Sequence, residues 1–500
     1  SGYQLVTTDS QNNTVAGASA GDSFDGTNAT DNTLIGHNAG TAITTGDYNT
    51  AIGKGALAAN TTAPANTAVG YNALTTTTIG DYNTAVGTQS MDALTTGYHN
   101  VAVGYHSLGA ASAADYNVAI GKSALAAATT SDFNTAVGAE ALEANTEGHS
   151  NTSVGFRSLE ANTTGDTNVA VGYLALTANT TADDNVAVGR GALAAVTTNG
   201  YNTAIGDRAL TANTAQLNVS VGSLSSLANT TGTENTVIGQ AALYTNTTGS
   251  YNTAVGRYAL RLATTASYNT AVGRNALTAN TTGYNNTAVG EGALTSCTTG
   301  NDNVAVGKDC MKDATEAQYC TAVGEQCMES LTTGTRNTAV GNAALYTNET
   351  GQYNVAIGNG ALQTSTASDN TAVGYDALTN STTGDANVAI GKHALKSNTT
   401  GAHNIGIGAY AGDDITTGDE NTVMGYNALP NCTTADSNTA IGANTMVQTT
   451  TGARNTGVGN YALHDVTTGQ QNVAMGYQAS YELTTGEGNV AIGPYALYTH

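Results

Sequence analysis

The chain has 500 residues, with 37 acidic side chains against 14 basic ones and a formal net charge of −23 at pH 7; this excludes the basic patches that nucleic acid or an anionic membrane surface would need. Sixty glycines, three prolines, three phenylalanines and no tryptophan do not describe an ordinary globular core. No apolar run approaches the roughly 20 residues that a membrane-spanning helix requires.

In chain order, residues 1–31 read as an irregular leader or atypical first coils. Gly17-Ala18-Ser19-Ala20-Gly21 spells the G-x-S-x-G of a nucleophile elbow. That motif carries chemistry only on a strand–turn–helix with a histidine and an acid nearby. No helical pattern flanks it, so it reads as a chance match and the chain as no enzyme. From Asn32 onward a pentad of the N-T-A-V-G type recurs in 28 units to Asn489. Every step equals that from Asn32 to Asn49 except 202→218 and 354→370, which are one residue short, and Cys320 replaces the leading asparagine once. The consensus is N-[TV]-A-[VI]-G-x-x-A-L-x-x-N-T-T-G-x-Y. A period this regular is the signature of a solenoid, and residues 32–500 read as one continuous array. The array stops at His500 inside an unfinished unit and the chain opens on Ser1 without methionine, so it is expected to be a segment of a longer polypeptide.

Within a unit, position 2 is Thr or Val and position 4 is Val, Ile or Met, as in Thr50 and Ile52. This alternation reads as a strand with those two positions on the buried face. Position 3 is nearly always Ala, and its small size implies a close neighbour, either another chain or another wall of the same coil. The invariant glycine at position 5 (Gly53, Gly70, Gly87, Gly104) points to positive φ or to an approach too close for a Cβ. A turn and a short second strand carrying Ala56 and Leu57 should follow, and T-T-G-x-Y should close the coil as a surface loop. The expected fold is all-β: a parallel β-solenoid, or β-roll, of about 28 coils with a 17-residue period.

Stacked coils would hold equivalent residues roughly 4.8 Å apart. The leading asparagines, among them Asn49, Asn66, Asn83 and Asn100, are then expected to form an axial ladder of amides. Asn60, Asn162, Asn179, Asn229, Asn246, Asn280, Asn348 and Asn398 each begin an N-glycosylation sequon on the predicted exposed loop; sugar attachment and plain turn chemistry are both open readings. The aspartates at position 16 (Asp47, Asp81, Asp166) read as scattered solvation or as a weak cation site. No histidine recurs at the coil spacing and no paired Cys-x-x-Cys occurs, so neither a metal nor a cofactor is expected. Cys310 and Cys327 stand one period apart, both at position 8, within reach of an axial disulfide, or of two thiols filling alanine sites. Tyrosine, at 25 copies the abundant aromatic, sits beside the pentad at Tyr48, Tyr82 and Tyr116 and after the glycine at Tyr71, Tyr105 and Tyr173. These rings read as packing over loop corners or as sugar-stacking and interchain contacts.

The pentads Asn117–Gly121, Asn354–Gly358 and Asn489–Gly493 resemble the N-x-V-A-I-G signature of trimeric autotransporter adhesin heads, and similar repeats occur in phage tail fibres. The resemblance implies three parallel chains in a β-roll fibre that grips host surfaces. The function expected from sequence is a structural extracellular filament or fibre shaft, at a cell surface or on a virion. It would self-associate as a homotrimer or end to end, with covalent glycans open. The alternative is an adhesin or tail-fibre segment that binds a host surface glycan or protein. An ordinary binding tip should interrupt the repeat with an insertion, and none occurs between Asn32 and His500.

Overall fold

The computed structural model describes residues 6–24, 26 and 28–499; residues 1–5, 25 and 27 of the leader, and His500, lie outside them. Two compact units divide the chain, Ser1–Ser250 and Tyr251–His500. No helix occurs among the described residues, and each unit is a parallel β-solenoid with a 17-residue spacing. The first runs from Thr7–Thr8 and Thr14–Ala16 to Thr236–Ile238, the second from Thr253–Val255 to Val490–Ile492. Register is one to one: Thr50 pairs with Thr67, Ala51 with Ala68 and Ile52 with Val69, and the pattern repeats coil by coil. Both one-residue deletions are absorbed outside the strands, because Thr203 still pairs with Val219 and Val355 with Thr371.

One coil precedes the 28 counted in the sequence. The strand in Asn13-Thr14-Val15-Ala16-Gly17 pairs in parallel with Thr33–Ile35, and the step from Asn13 to Asn32 is longer than the period of the array. Thr7–Thr8 then turns back antiparallel along Thr14 and Val15. A strand laid across the first coil covers backbone groups that would otherwise be an open edge. The G-x-S-x-G match belongs to this coil. Gly17 is its position-5 glycine, and Gly21 stands at position 9, where Gly40 and Gly412 stand in theirs.

The strand faces are the reverse of the expected ones. Position 3 points inward and is fully buried, as at Ala51, Ala68 and Ala85. Positions 2 and 4 face out, leaving Ile52 37% and Ile357 41% exposed. The core of each unit is filled from the other side by Ala and Leu at positions 8 and 9, such as Ala56 and Leu57. Of the two neighbours open for position 3, the wall of the same coil is the one present. A Cβ added at Gly406 would lie 3.1 Å from Ala411 C=O across its own coil and 2.7 Å from Leu395 Cγ on the same wall of the preceding coil. Where position 3 is Ser220, position 8 is Ser225, and their hydroxyls are 2.7 Å apart. The thin coil explains the choice: two walls this close leave room for a methyl on one side and a leucine on the other.

Among the described residues the second strand is absent. Residues 54–59 form turns, with Leu57 at φ 54°, although they still stack through Leu57 N–H to Ala73 C=O at 3.0 Å and Ala59 N–H to Thr75 C=O at 3.0 Å. Positions 7, 9 and 17 take left-handed backbone in coil after coil, for example Asn72 (51°), Leu74 (52°) and Tyr82 (55°). A β-branched residue is a poor fit at such φ values. Position 9 is accordingly Leu, Met, Gly or Ser in every unit, whereas position 4 is Val, Ile or Met.

Candidate functional site

The strongest candidates sit in columns that run coil to coil within each unit. At position 1 the amide oxygen of Asn32 accepts the Asn49 backbone N–H at 2.8 Å. Asn49 accepts from Asn66 at 2.9 Å, Asn66 from Asn83 at 3.0 Å and Asn83 from Asn100 at 3.0 Å. The amide NH2 groups point the other way across the coil. Asn49 donates to Ala63 C=O at 3.0 Å and Asn83 to Gly97 C=O at 2.8 Å. Direct amide–amide bonds occur in part of the column, as from Asn100 Nδ2 to Asn83 Oδ1 at 3.1 Å. Each asparagine therefore ties a strand start to the next coil and to its own closing loop. Asn49, Asn66, Asn83 and Asn100 are fully buried, where an unpaired amide would be costly.

The glycine column packs backbone on backbone. Gly53 has φ 134°, and a Cβ there would stand 2.7 Å from the carbonyl carbon of Gly70. Any side chain would force the coils apart.

The sequon asparagines are not on an exposed surface. Asn60, Asn162, Asn179, Asn229, Asn246, Asn280, Asn348 and Asn398 are all buried within the coil. Several form a second amide ladder: Asn162 Nδ2 donates to Asn145 Oδ1, Asn179 to Asn162 and Asn246 to Asn229, each at 2.8 Å. Asn60 and Asn280 close their own turns, with Ala63 N–H to Asn60 Oδ1 at 3.0 Å and Gly283 N–H to Asn280 Oδ1 at 2.8 Å. The expectation of a solvent-facing loop fails because position 12 faces the core; Ile43, Leu94 and Val196 fill it in other coils. That exchange with apolar residues was the signal in the sequence.

Position 16 carries a third column that sequence reasoning missed. Asp47 Oδ1 accepts the Thr30 N–H at 2.8 Å, Asp166 Oδ1 the His149 N–H at 2.6 Å and Asp183 Oδ1 the Asp166 N–H at 2.8 Å. These carboxylates join loops of successive coils rather than standing as scattered solvation. Among the described residues one acidic trio, Glu140, Glu143 and Glu160, brings its carboxylate oxygens within 4.8 Å of one another. Glu140 there is paired with Arg157 Nε at 2.6 Å and Lys122 Nζ at 3.3 Å, which hold its carboxyl below the usual range.

All five cysteines are free thiols and fully buried. Cys310 and Cys327 are neighbours across one coil step; the Cys327 thiol and burial push the Cys310 thiol up, and Cys310 Sγ donates to Ala322 C=O at 3.4 Å. Burial pushes Cys297 and Cys432 up to about 11. Cys320 fills the asparagine column, with Sγ 3.5 Å from Gly334 C=O in place of the amide.

Tyrosines at position 17 stack on one another along the axis. Tyr82, His99, Tyr116 and Phe133 follow at centroid distances of 5.0, 5.0 and 5.3 Å, and Tyr251–Tyr268 at 4.9 Å. Within such a stack the ring faces are covered by their neighbours, and the edges meet solvent. No protein-family model matches this chain, and no curated protein sequence matches it.

Proposed function

We propose that the chain is a stiff structural segment of an extracellular fibre, with no catalytic role, and that it associates with further copies of itself along the outward strand face. The observation that carries this reading is the composition of that face. Positions 2 and 4 hold Thr, Val, Ile or Met in every unit and never a charge, although Ile52, Ile120, Ile205, Ile357 and Ile390 are each 37–41% exposed. An exposed strand face in a soluble monomer is ordinarily broken by charge. A strip that repeats once per coil is matched in register by a partner of the same period, and a second copy of this chain has it. Two buried amide columns, the loop-joining aspartates and a strand register that is regular within each unit support the stiffness. A homotrimer is a side-by-side form that this lateral face serves, whereas an end-to-end filament would join through the ends of the coil stack.

The test is the native mass by light scattering, with electron microscopy of the same sample. A mass of two or more chains in rod-like particles supports the reading. A single-chain mass at micromolar concentration, with no filaments, sinks the self-association.

A further inference from the structure

We infer that a notch opened by Gly191 in the first unit is a binding site for a ring-sized carboxylate. Position 7 carries a side chain over the turn in most coils; here Leu174 stands in the preceding coil, Arg208 in the following one, and Gly191 between them. A Cβ built on Gly191 would meet only Arg208 Cγ, at 3.9 Å. The three other glycines at this position differ. At Gly55, Gly292 and Gly360 the same point lies 2.5 Å from the side-chain Oδ1 of Asn72, Asp309 or Asp376, so the next coil has already filled the space. At Gly191 it has not, and a cavity of about 260 Å³ remains.

Its walls have two characters. Tyr173, Leu174 and Ala194 make an apolar shelf. Phe156 stacks on Tyr173 with centroids 5.7 Å apart and planes 14° from parallel, which holds the ring in place from the preceding coil. Arg190 and Arg208 supply the charge. Arg190 is committed: its Nε lies 2.7 Å from Asp207 Oδ1 and its Nη2 3.2 Å from Oδ2. Arg208, among the described residues, has no side-chain hydrogen bond or ion pair, in a chain with 14 basic against 37 acidic groups. A guanidinium fork pairs two of its N–H donors with one carboxylate. A flat ring covers an aromatic and a leucine at the same time. The ligand class is therefore a six-membered ring with one carboxylate, either the acidic sugar of a glycan or an aromatic acid. The inference does not depend on the fibre reading, and its test reads ligand binding alone.

Saturation-transfer NMR on the intact chain would compare glucuronate, benzoate and neutral glucose. At least one acid is expected to bind with a dissociation constant of about 1 mM, and glucose at least tenfold more weakly. Glucuronate alone assigns an acidic glycan; benzoate alone assigns an aromatic acid. Arg208→Gln should weaken the acid at least about tenfold. Gly191→Leu should abolish binding by filling the notch; the fold accepts leucine here, since Leu174 and Leu224 stand at position 7 with φ 54° and 60°. Binding of neither acid, or binding unchanged in Arg208→Gln, overturns the inference.

Discussion

At Leu125 the backbone lies at φ 53° with the side chain fully buried, and that pair of facts decides which residues the site tolerates. Leucine and methionine fit; Met91 holds the equivalent site at φ 50°. Leu125→Met should cost less than about 1.5 kcal/mol, as volume-conserving swaps do. Leu125→Ile should cost about 2 kcal/mol or more, because branching at Cβ adds strain to left-handed backbone. Thermal melts of the two variants check this, and equal losses would remove the backbone argument. Asp413 is a second informative residue. Its Oδ1 is buried without a partner, and burial, with Asp414 beside it, pushes the carboxyl above the usual range. A raised folded-state pKa means that the charged form is disfavoured by folding. Stability is then higher below the unfolded carboxylate value and falls as pH rises toward the folded one. Asp413→Asn should therefore stabilise the protein at pH 7, by less than about 1 kcal/mol because solvent screens the partly exposed carboxylate. The gain should shrink at low pH, and denaturant melts at the two pH values read it.

The column is the element on which the architecture turns, since each asparagine bonds backbone groups of two successive coils. Cys320 is its one interruption. The Cys320 N–H still reaches Asn303 Oδ1 at 3.1 Å, but a thiol offers Asn337 no amide oxygen. Cys320→Asn should restore both directions of bonding and raise stability by about 1 kcal/mol. A loss of stability would show that the thiol is the better fit. The remaining thiols test the compactness of the columns. With burial closing off access, no cysteine should react with a thiol reagent in the native state, and all five should react in denaturant. Fast native labelling of Cys310 or Cys327 would mean that the coils open locally there.

For each unit as a whole, the outward strand face is an uncharged strip that repeats with every coil. Replacing Val137 and Val154 on that face by Lys should leave the fold intact and lower the native mass, because a strip of like charges opposes association in register. Unchanged mass would move the interface elsewhere. The buried sequons carry a second expectation. Secreted from a glycosylating host, the chain should keep the bare polypeptide mass of 50.0 kDa, since its sequon amides are buried inside the coil. Surface ion pairs such as Arg190–Asp207 and Arg274–Glu291 link successive coils at 2.7 Å, yet exposed pairs of this kind each contribute about 1 kcal/mol at most.

The period, the parallel strands, the asparagine and glycine columns and the absence of helix were all legible in the amino-acid order, because they recur with every unit and each recurrence is a separate vote. The leading coil at Asn13 is hidden there, since its longer step to Asn32 and its Val15-Ala16 order break the pattern. Which strand face turns inward was settled by packing between the two walls of the coil. An alternating strand reads equally well in either phase, and the larger Val and Ile argued for the wrong one. The coil is too thin to hold them opposite Leu57 and its equivalents, so alanine goes in and the branched residues go out. The same thinness turned the sequons inward and replaced the second strand by left-handed turns. The notch at Gly191 likewise depends on what the coils before and after it carry. Leu174 and Arg208 lie one period away on either side, and only stacking brings them together.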